Sequence, residues 1–258
     1  MLLSVVVPVF NEDKILYSQM LKYGNYLDLI VKKNNWQYIF VNNGSTDNSL
    51  AEIKKIISIW PKSKYLNLND PNYGYALRTG VENSEAEYCN IINVEQWDVN
   101  FIAWSWSLRK EYDLFLGSKR ADPTINFQPP FRRFLSWGLN SILSLLFETV
   151  SIDTHGPKLI NIKNTKHILS KIKLNRGQYD TEMSIRIQRS GLWIAEAPIL
   201  YKEVRKQKNM MYLKIIRNII DILKLRKILK KVPFKNNVNL RKFSYKDLVN
   251  EFNKLEIK

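Results

Sequence analysis

The chain has 258 residues, of which 45% are hydrophobic, so it can form a packed core, and this composition excludes a wholly disordered protein. Lys and Arg outnumber Asp and Glu by 40 to 24, and the formal net charge of +16 indicates an anionic partner such as nucleic acid, a lipid surface or a phosphorylated substrate. A single cysteine, Cys89, excludes an intrachain disulfide and favours a reducing, cytoplasmic location.

The first 120 residues alternate short β-rich apolar runs with stretches of helical character. Helices are predicted at residues 15–31 and 50–59. Strands are predicted at residues 3–9, 38–41, 65–68, 88–92 and 112–116. This alternation predicts an α/β fold with a mostly parallel sheet flanked by helices. Ligands of such sheets bind beyond the carboxyl ends of the strands, which is where functional residues are expected.

The second half of the chain changes character after residue 204. Helices are predicted at residues 131–147 and 179–189, with a turn-rich segment at 153–158 between them. Residues 205–231 then hold ten Lys or Arg against one acid, Asp221, together with an apolar stripe at helical spacing. We therefore predict two parts, a catalytic domain at residues 1–204 and a basic amphipathic helical tail at 205–258.

Two ordered motifs stand at the ends of the first two predicted strands. Residues 6–12 read Val-Val-Pro-Val-Phe-Asn-Glu, and residues 41–47 read Val-Asn-Asn-Gly-Ser-Thr-Asp. Pro8 is expected to end its strand, Gly44 permits a tight turn, and Ser45 is a candidate helix cap. Helix capping alone would also account for Asn11 and Ser45, but two polar motifs at successive strand ends favour a ligand site.

Together with later motifs, this pair resembles the family 2 glycosyltransferases of the GT-A fold, a Rossmann-like arrangement. The branch that it is most similar to contains the polyprenyl-phosphate mannose and glucose synthases. The resemblance extends over residues 3–201 and includes Asn-Tyr-Gly at 72–74, Gly-Ser-Lys-Arg at 117–120, Asp-Thr-His-Gly-Pro-Lys at 153–158 and Tyr-Asp-Thr-Glu at 179–182.

The resemblance implies an inverting transfer of a sugar from a nucleotide-sugar donor, and it assigns residues to three roles. The implied donor-binding residues are Pro8, Phe10, Asn11, Glu12, Asn42, Gly44, Ser45, Gly74, Arg78, Asn93 and Glu95. The implied catalytic residues are Asp180, Glu182 and Asp153. The implied acceptor-phosphate residues are Arg120, Arg132, Arg133 and Lys158, whose cationic groups suit phosphate oxygens.

The chain departs from the family where a strand normally ends in Asp-x-Asp, which holds Mg²⁺ or Mn²⁺ against the donor diphosphate. Residues 93–98 read Asn-Val-Glu-Gln-Trp-Asp, so Glu95 and Asp98 are the remaining candidate metal ligands. One carboxylate together with substrate phosphates can hold Mg²⁺, and we therefore treat Mg²⁺ or Mn²⁺ as a possible cofactor.

A second departure is Asn42, where the family usually carries an Asp that accepts a hydrogen bond from the base. An Asn amide can donate or accept, which suits uracil or guanine and also cytosine. Both departures together leave a cytidine-monophosphate sugar open as an alternative to a uridine or guanosine diphosphate donor.

The acceptor is expected to be a polyprenyl phosphate or another cell-envelope acceptor. A saccharide hydroxyl is the alternative, and it would require a base, for which Asp180 is the candidate. The basic helix of the tail either lies on an anionic membrane at the cytoplasmic face or packs its apolar stripe on the catalytic domain. A non-catalytic scaffold is another alternative, as is a nucleic-acid-binding protein, although no nucleic-acid-binding motif is present and no such partner is expected.

Overall fold

The structure is a computed structural model that describes residues 1–119, 121–125, 138, 141, 145–147, 154–200, 211–230, 232 and 238–256. The strands are β1 Leu3–Val9, β2 Trp36–Asn43, β3 Lys64–Leu68, β4 Tyr88–Ile91, β5 Leu114–Ser118, β6 Lys158–Asn161, β7 Trp193–Pro198 and β8 Asn239–Lys242. The helices are α1 Leu16–Leu27, α2 Ser49–Ile59, α3 Tyr73–Glu82, α4 Val99–Ser107, α5 Ile162–Leu169, α6 Tyr179–Arg189, α7 Met211–Leu229 and α8 Tyr245–Glu256. A π-helical turn, Asp28–Lys32, extends α1, and a short 3₁₀ turn covers Pro123–Ile125.

The strands form one sheet in the order β3-β2-β1-β4-β6-β5-β7-β8. Only β6 runs antiparallel to its neighbours, β4 and β5. The predicted α/β fold with a mostly parallel sheet is therefore confirmed. Because β6 runs the opposite way, its first residue, Lys158, lies at the carboxyl ends of β4 and β5, opposite Ile91 and Leu116.

The sheet is covered on both faces, which explains the uninterrupted apolar runs of its inner strands. One buried cluster combines alternate residues of β1 and β2 with side chains of α1, α2 and α4. The other combines the opposite residues of these strands, such as Val6 and Ile39, with α3, α5 and α6. These two layers fix the carboxyl edge of the sheet, where the predicted site residues stand.

The first strand spans Leu3–Val9, as its apolar run predicted, so the separate expectation that Pro8 ends it is wrong. Pairing with β4 ends at Val6, whereas pairing with β2 continues beyond Pro8. A proline is tolerated there because its missing N–H is not needed once the strand on that side has ended.

Within the predicted helical tail, residues 239–256 form a strand, which joins the sheet, and a helix. Strand β8 pairs in parallel with β7, from Trp193↔Asn239 to Glu196↔Lys242. Helix α8 packs against α4, and Asn100 Nδ2 donates a hydrogen bond to the Tyr245 hydroxyl. The prediction of helix alone is therefore wrong for residues 239–242, where β8 satisfies the otherwise open edge of β7. The boundary at residue 204 itself stays a prediction.

Helix α7 was expected from the basic amphipathic stretch, and the structure contains it. Its side chains are described from residue 220 onwards. Ile222, Leu225 and Leu229 are buried against Phe147 and Ile185, so this part of the apolar stripe packs on the protein. Leu223, however, remains 58% exposed. Among the described residues, no helix is long and apolar enough to span a membrane.

Candidate active site

The loops that follow β1 and β2 are joined to each other by several hydrogen bonds. The backbone N–H of Asn11 donates to Ser45 Oγ at 3.2 Å, and Asn11 Oδ1 accepts from the Thr46 N–H at 2.8 Å. Both Asn11 and Gly44 have positive φ values, 54° and 74°. The two loops therefore form one preorganised platform, above which the ring of Phe10 stays 44% exposed.

Glu12 and Asp47 complete this platform. The N–H of Glu12 donates to Ser49 Oγ at 2.7 Å, and the N–H of Asp13 donates to Asp47 Oδ2 at 3.1 Å. Burial opposes the ionised form of Asp47, but hydrogen bonds from Ser49 and Asp13 hold its pKa below the ordinary value. The carboxylate of Asp47 is thus held beside the start of α2, where the helix dipole stabilises its negative charge.

Asn42 has both ends of its amide engaged within the protein. Its Nδ2 donates to Asn67 Oδ1 at 3.1 Å, and its Oδ1 accepts from the Ser45 N–H at 3.3 Å. Asn67 was not predicted as a site residue. It lines a cavity of about 420 Å³ at the end of β3. The cavity is lined by Asn67, Leu68, Asn69, Asp70, Asn72 and Tyr75.

Asn93, in the altered Asp-x-Asp position, also has both ends of its amide engaged. Its Oδ1 accepts a hydrogen bond from the Tyr73 hydroxyl at 3.2 Å, and its Nδ2 donates to Gln96 Oε1 at 3.3 Å. Glu95 is partly exposed, and burial raises its pKa. The carboxylate of Glu95 is therefore the member of this motif that fits a divalent cation.

Asp98 caps α4 and ties it to the end of β7. Its Oδ1 accepts from the Asn100 N–H at 2.8 Å, and its Oδ2 accepts from the Leu200 N–H at 2.9 Å. Burial raises its pKa in spite of these bonds. Because both oxygens serve backbone donors inside the protein, we do not propose Asp98 as a metal ligand. Among the described residues, no group of three or more His, Cys, Asp or Glu is arranged to hold a metal.

The structure brings Asp180, Lys158 and His155 together at the edge of the sheet. Asp180 Oδ2 lies 3.6 Å from Lys158 Nζ and 3.8 Å from His155 Nδ1. Burial alone would raise the pKa of Asp180, but the positive charge of Lys158 and the contact with His155 lower it below the ordinary value. Asp180 is therefore an ionised, buried carboxylate.

Lys158 was predicted to contact an acceptor phosphate, but the structure places its ammonium group inside the protein. Its side chain is fully buried, and Nζ donates to the Gly156 carbonyl at 2.8 Å. In this geometry Lys158 compensates the charge of Asp180, and its contact with an acceptor phosphate stays a prediction.

Tyr73 connects the two halves of the site. Its hydroxyl donates to Asn93, and burial followed by the negative charge of Asp180 raises its pKa well above the ordinary value. Sequence reasoning included Asn-Tyr-Gly among the motifs but gave no role to the tyrosine. The altered metal motif and the Asp180 cluster are thus neighbours.

Two predicted site residues, Glu182 and Arg78, contact the backbone of residues 172–174, ahead of α6. Glu182 is fully buried and accepts hydrogen bonds from the Lys173 and Leu174 N–H groups and from Arg186 Nε. Arg78 donates to the Ile172 carbonyl at 2.6 Å. These contacts give Glu182 and Arg78 a part in holding the backbone that leads into α6. The catalytic role of Glu182 and the donor-binding role of Arg78 stay predictions.

Gly74, also predicted to bind the donor, is where α3 meets this segment. A Cβ at Gly74 would lie 1.9 Å from the Arg176 carbonyl oxygen, so no larger residue fits without backbone movement. Gly74 is thus required for close packing, and it holds the neighbouring Tyr73 in place.

Replacing Gly74 with alanine is expected to reduce the free energy of unfolding by about 1–3 kcal/mol, because overpacking forces backbone shifts. Gly177→Ala is the matched control in the same segment, since a Cβ there meets nothing within 4 Å. Denaturant unfolding measures both variants, and equal stability of the two would contradict the packing role of Gly74.

Arg120, Arg132, Arg133 and Asp153 lie outside the described residues, and their predicted roles stay predictions. For His155, in the turn at 153–158, the sequence left open whether it contacts substrate or closes the turn. Its position beside Asp180 depends on the fold, because the two residues are 25 positions apart in the chain.

The chain is similar to known glycosyltransferases. Residues 4–94 match the model of the family described as Glycosyl transferase family 2. A dolichyl-phosphate beta-glucosyltransferase of Trichomonas vaginalis is 24% identical over 234 residues, which cover 86% of this chain and 72% of that protein. A dolichyl-phosphate beta-glucosyltransferase of Dictyostelium discoideum is 25% identical over 240 residues, covering 87% and 73%.

Two solved structures share the fold. A glucosyl-3-phosphoglycerate synthase from Mycobacterium tuberculosis, in complex with Mn²⁺, UDP-glucose and phosphoglyceric acid, has a TM-score of 0.58 at 16% identity, covering 88% of this chain and 80% of that one. A mannosyltransferase from Pyrobaculum calidifontis, in complex with GDP-Man and Mn²⁺, has a TM-score of 0.60 at 13% identity. The match covers 99% of this chain and 70% of that one. The fold is thus of the GT-A type.

The class defined by fold and site is that of GT-A glycosyltransferases. More particularly, residues 4–94 are similar to glycosyl transferase family 2, and this stretch contains the platform after β1 and β2, Tyr73 and Asn93.

Proposed function

We propose that the protein transfers a sugar, with inversion, from a nucleotide-sugar donor to a polyprenyl phosphate. The observation that carries this proposal is the extent of the similarity. The dolichyl-phosphate glucosyltransferases match over about 86% of the chain, well beyond residues 4–94, which match the family model. The match therefore includes the half of the chain that supplies Asp180, Lys158 and His155.

The donor nucleotide is expected to bind at the carboxyl ends of β1, β2 and β3. Phe10 offers an exposed ring beside the platform, and Asn67 and Tyr75 line the cavity next to Asn42. Amide groups there can donate to and accept from a base, and an aromatic ring can stack on it. Preorganised backbone, held by the Asn11 and Ser45 contacts, lowers the entropic cost of binding.

Mg²⁺ or Mn²⁺ fits this site only in part. Asn93 Oδ1 already accepts a hydrogen bond and Asp98 is a helix cap, so Glu95 would hold the ion together with donor phosphates. A bound ion would supply positive charge to the leaving phosphate. Of the protein's own groups nearby, Tyr73 orients Asn93 through its hydrogen bond, and Asp180 contributes a buried negative charge.

A phosphate acceptor needs no general base, because its oxygen is already ionised. This agrees with Asp180, which is 1% exposed and is neutralised by Lys158 and His155 rather than presented to solvent. A saccharide hydroxyl would require an accessible base, and burial of Asp180 disfavours that alternative. Asp180 instead stabilises positive charge near the reacting sugar and orients its neighbours.

The surface near α7 suits an anionic membrane at the cytoplasmic face, where a lipid-linked acceptor would reside. Leu223 and Ile220 are exposed among Lys224, Lys227 and Lys230. Exposed apolar side chains beside lysines are typical of surfaces that bind anionic lipid. We therefore propose peripheral membrane binding through the outer face of α7, while its inner face packs on the protein.

The proposed function is tested with a panel of nucleotide sugars and a short-chain polyprenyl phosphate, each combined with Mn²⁺ or with chelator. We expect one uridine or guanosine diphosphate sugar to be consumed only when the lipid phosphate is present. Consumption of a cytidine-monophosphate sugar would identify a different donor but would leave the proposed reaction class unchanged. If transfer requires a saccharide instead of the lipid phosphate, the proposed acceptor is wrong, and if no donor is consumed, the chain is a binding scaffold.

A further inference from the structure

His155 is the surface member of an otherwise buried cluster of charges. Its side chain is 32% exposed, whereas those of Asp180 and Lys158 are 1% and 0% exposed. The three groups are arranged from the surface inwards, with the carboxylate in the middle. Any substrate that approaches this cluster from solvent therefore meets the imidazole of His155 first.

The backbone that carries His155 is firmly placed. The Thr154 and Thr181 hydroxyls are hydrogen-bonded at 3.0 Å, which ties the turn to α6. The Gly117 N–H donates to the Pro157 carbonyl at 2.9 Å. A Cβ at Gly156 would lie 1.7 Å from the Gly117 carbonyl oxygen, so this turn packs directly on the end of β5. His155 is thus held at the same edge of the sheet as Asn93 and Asp180.

The Asp180 carboxylate is placed to act on this imidazole. Oδ2 lies 3.8 Å from His155 Nδ1, within the range of an ion pair, and Oδ1 is buried with no hydrogen-bond partner. An imidazole has two ring nitrogens, and a ring that faces the carboxylate with one of them presents the other on its opposite side. With Nδ1 directed at Asp180, the donor directed away from the carboxylate is Nε2.

We propose that His155 binds a phosphate oxygen of a substrate through Nε2, while Asp180 fixes the orientation of the imidazole. This inference rests on the proposed function, which supplies two candidates for the phosphate: the lipid phosphate of the acceptor and the diphosphate of the donor. Phosphate oxygens are strong hydrogen-bond acceptors, so an N–H donated from Nε2 would contribute to the binding of either.

The test compares His155→Ala, His155→Gln and His155→Lys with His167→Gln. The chain has only these two histidines, and His167 is an exposed residue of α5, so it is the matched control. Donor and acceptor KM values and kcat are measured for each variant. We expect His155→Ala and His155→Gln to raise one KM by about 10-fold or more, since bonds to charged groups are worth this much. His155→Lys is expected to restore part of the loss, and His167→Gln to match wild type.

The KM that changes identifies the phosphate: a raised acceptor KM assigns the lipid phosphate, and a raised donor KM assigns the diphosphate. Direct binding of the nucleoside diphosphate and of the short polyprenyl phosphate, measured by calorimetry, separates this inference from the proposed function. If wild type binds both but transfers nothing, the proposed function fails while the binding assay still tests His155. If His155→Ala binds both compounds as tightly as wild type, the inference is wrong.

Discussion

Replacing Asp180 with asparagine is expected to lower the rate of sugar transfer by about 10²–10³-fold, the usual loss when a preorganised charge is removed from an active site. The substitution keeps the shape of the side chain but removes the negative charge next to Lys158 and His155. Nucleotide binding is expected to persist, because the platform of Asn11 and Ser45 is separate from this cluster. Steady-state transfer and calorimetric nucleotide binding measure the two effects.

Asp180→Asn also leaves the ammonium of Lys158 buried without its counter-charge. Breaking a buried pair in this way typically costs about 3–5 kcal/mol, so the variant could lose activity by unfolding. The double variant Asp180→Asn with Lys158→Met removes both charges at similar volume and is expected to recover stability but not activity. Recovery of transfer along with stability would show that Asp180 has no role beyond the fold.

The pH dependence of stability follows from the lowered pKa of Asp180 in the folded protein. A depressed folded-state pKa contributes stability above the unfolded-state value, which is about 3.9 for aspartate, and this contribution is lost as the pH falls through the folded-state pKa. The difference in free energy of unfolding between wild type and Asp180→Asn is therefore expected to be largest above about pH 4. It is expected to shrink towards lower pH, and a difference that grows on acidification would contradict the charge pairing.

Glu182→Gln is expected to reduce the free energy of unfolding by about 3–5 kcal/mol. In wild type, Arg186 Nε lies 2.7 Å from Glu182 Oε1. Gln keeps one oxygen to accept from the Lys173 and Leu174 N–H groups, but it leaves the buried Arg186 guanidinium without a negative partner. Chemical denaturation measures the change. Glu85→Gln, at an exposed position after α3, is the matched control and is expected to be close to neutral.

The double variant Glu182→Gln with Arg186→Met completes a thermodynamic cycle. Because both charges are then absent, its loss of stability is expected to be smaller than the sum of the two single losses. Additive losses would mean that Glu182 and Arg186 act independently and that residues 172–178 are held by other contacts.

The sheet could be predicted from the sequence where its strands have long apolar runs. Residues 3–9 and 38–41 are apolar on both faces, as expected of inner parallel strands, and the structure has β1 and β2 there. Strand β8 could not be found in the same way, since it has only four residues and its pattern is obscured by Lys and Arg. Its pairing depends on the open edge of β7, which is a property of the folded sheet.

The sequence could predict at which strand ends the candidate residues lie, but not which contacts each of them makes. Strand ends identified Asn11, Asn42 and Asn93, because parallel strands bring their carboxyl ends to one edge. The sequence could not distinguish residues that face a ligand from residues that support them. Glu182 stands two positions from Asp180, yet it turns to the backbone of residues 173–174. Asp98 likewise follows the altered motif closely but serves as a helix cap.

The central proposal is transfer of a sugar to a lipid phosphate, and mass spectrometry of the lipid after reaction tests it most directly. Wild-type protein is incubated with the donor that the panel selects and with a short-chain polyprenyl phosphate, alongside the Asp180→Asn, Lys158→Met double variant. We predict a new lipid whose mass exceeds that of the polyprenyl phosphate by one sugar residue, formed by wild type and strongly reduced with the double variant. An unchanged lipid, with the donor consumed by hydrolysis or by transfer to a saccharide, would contradict the account.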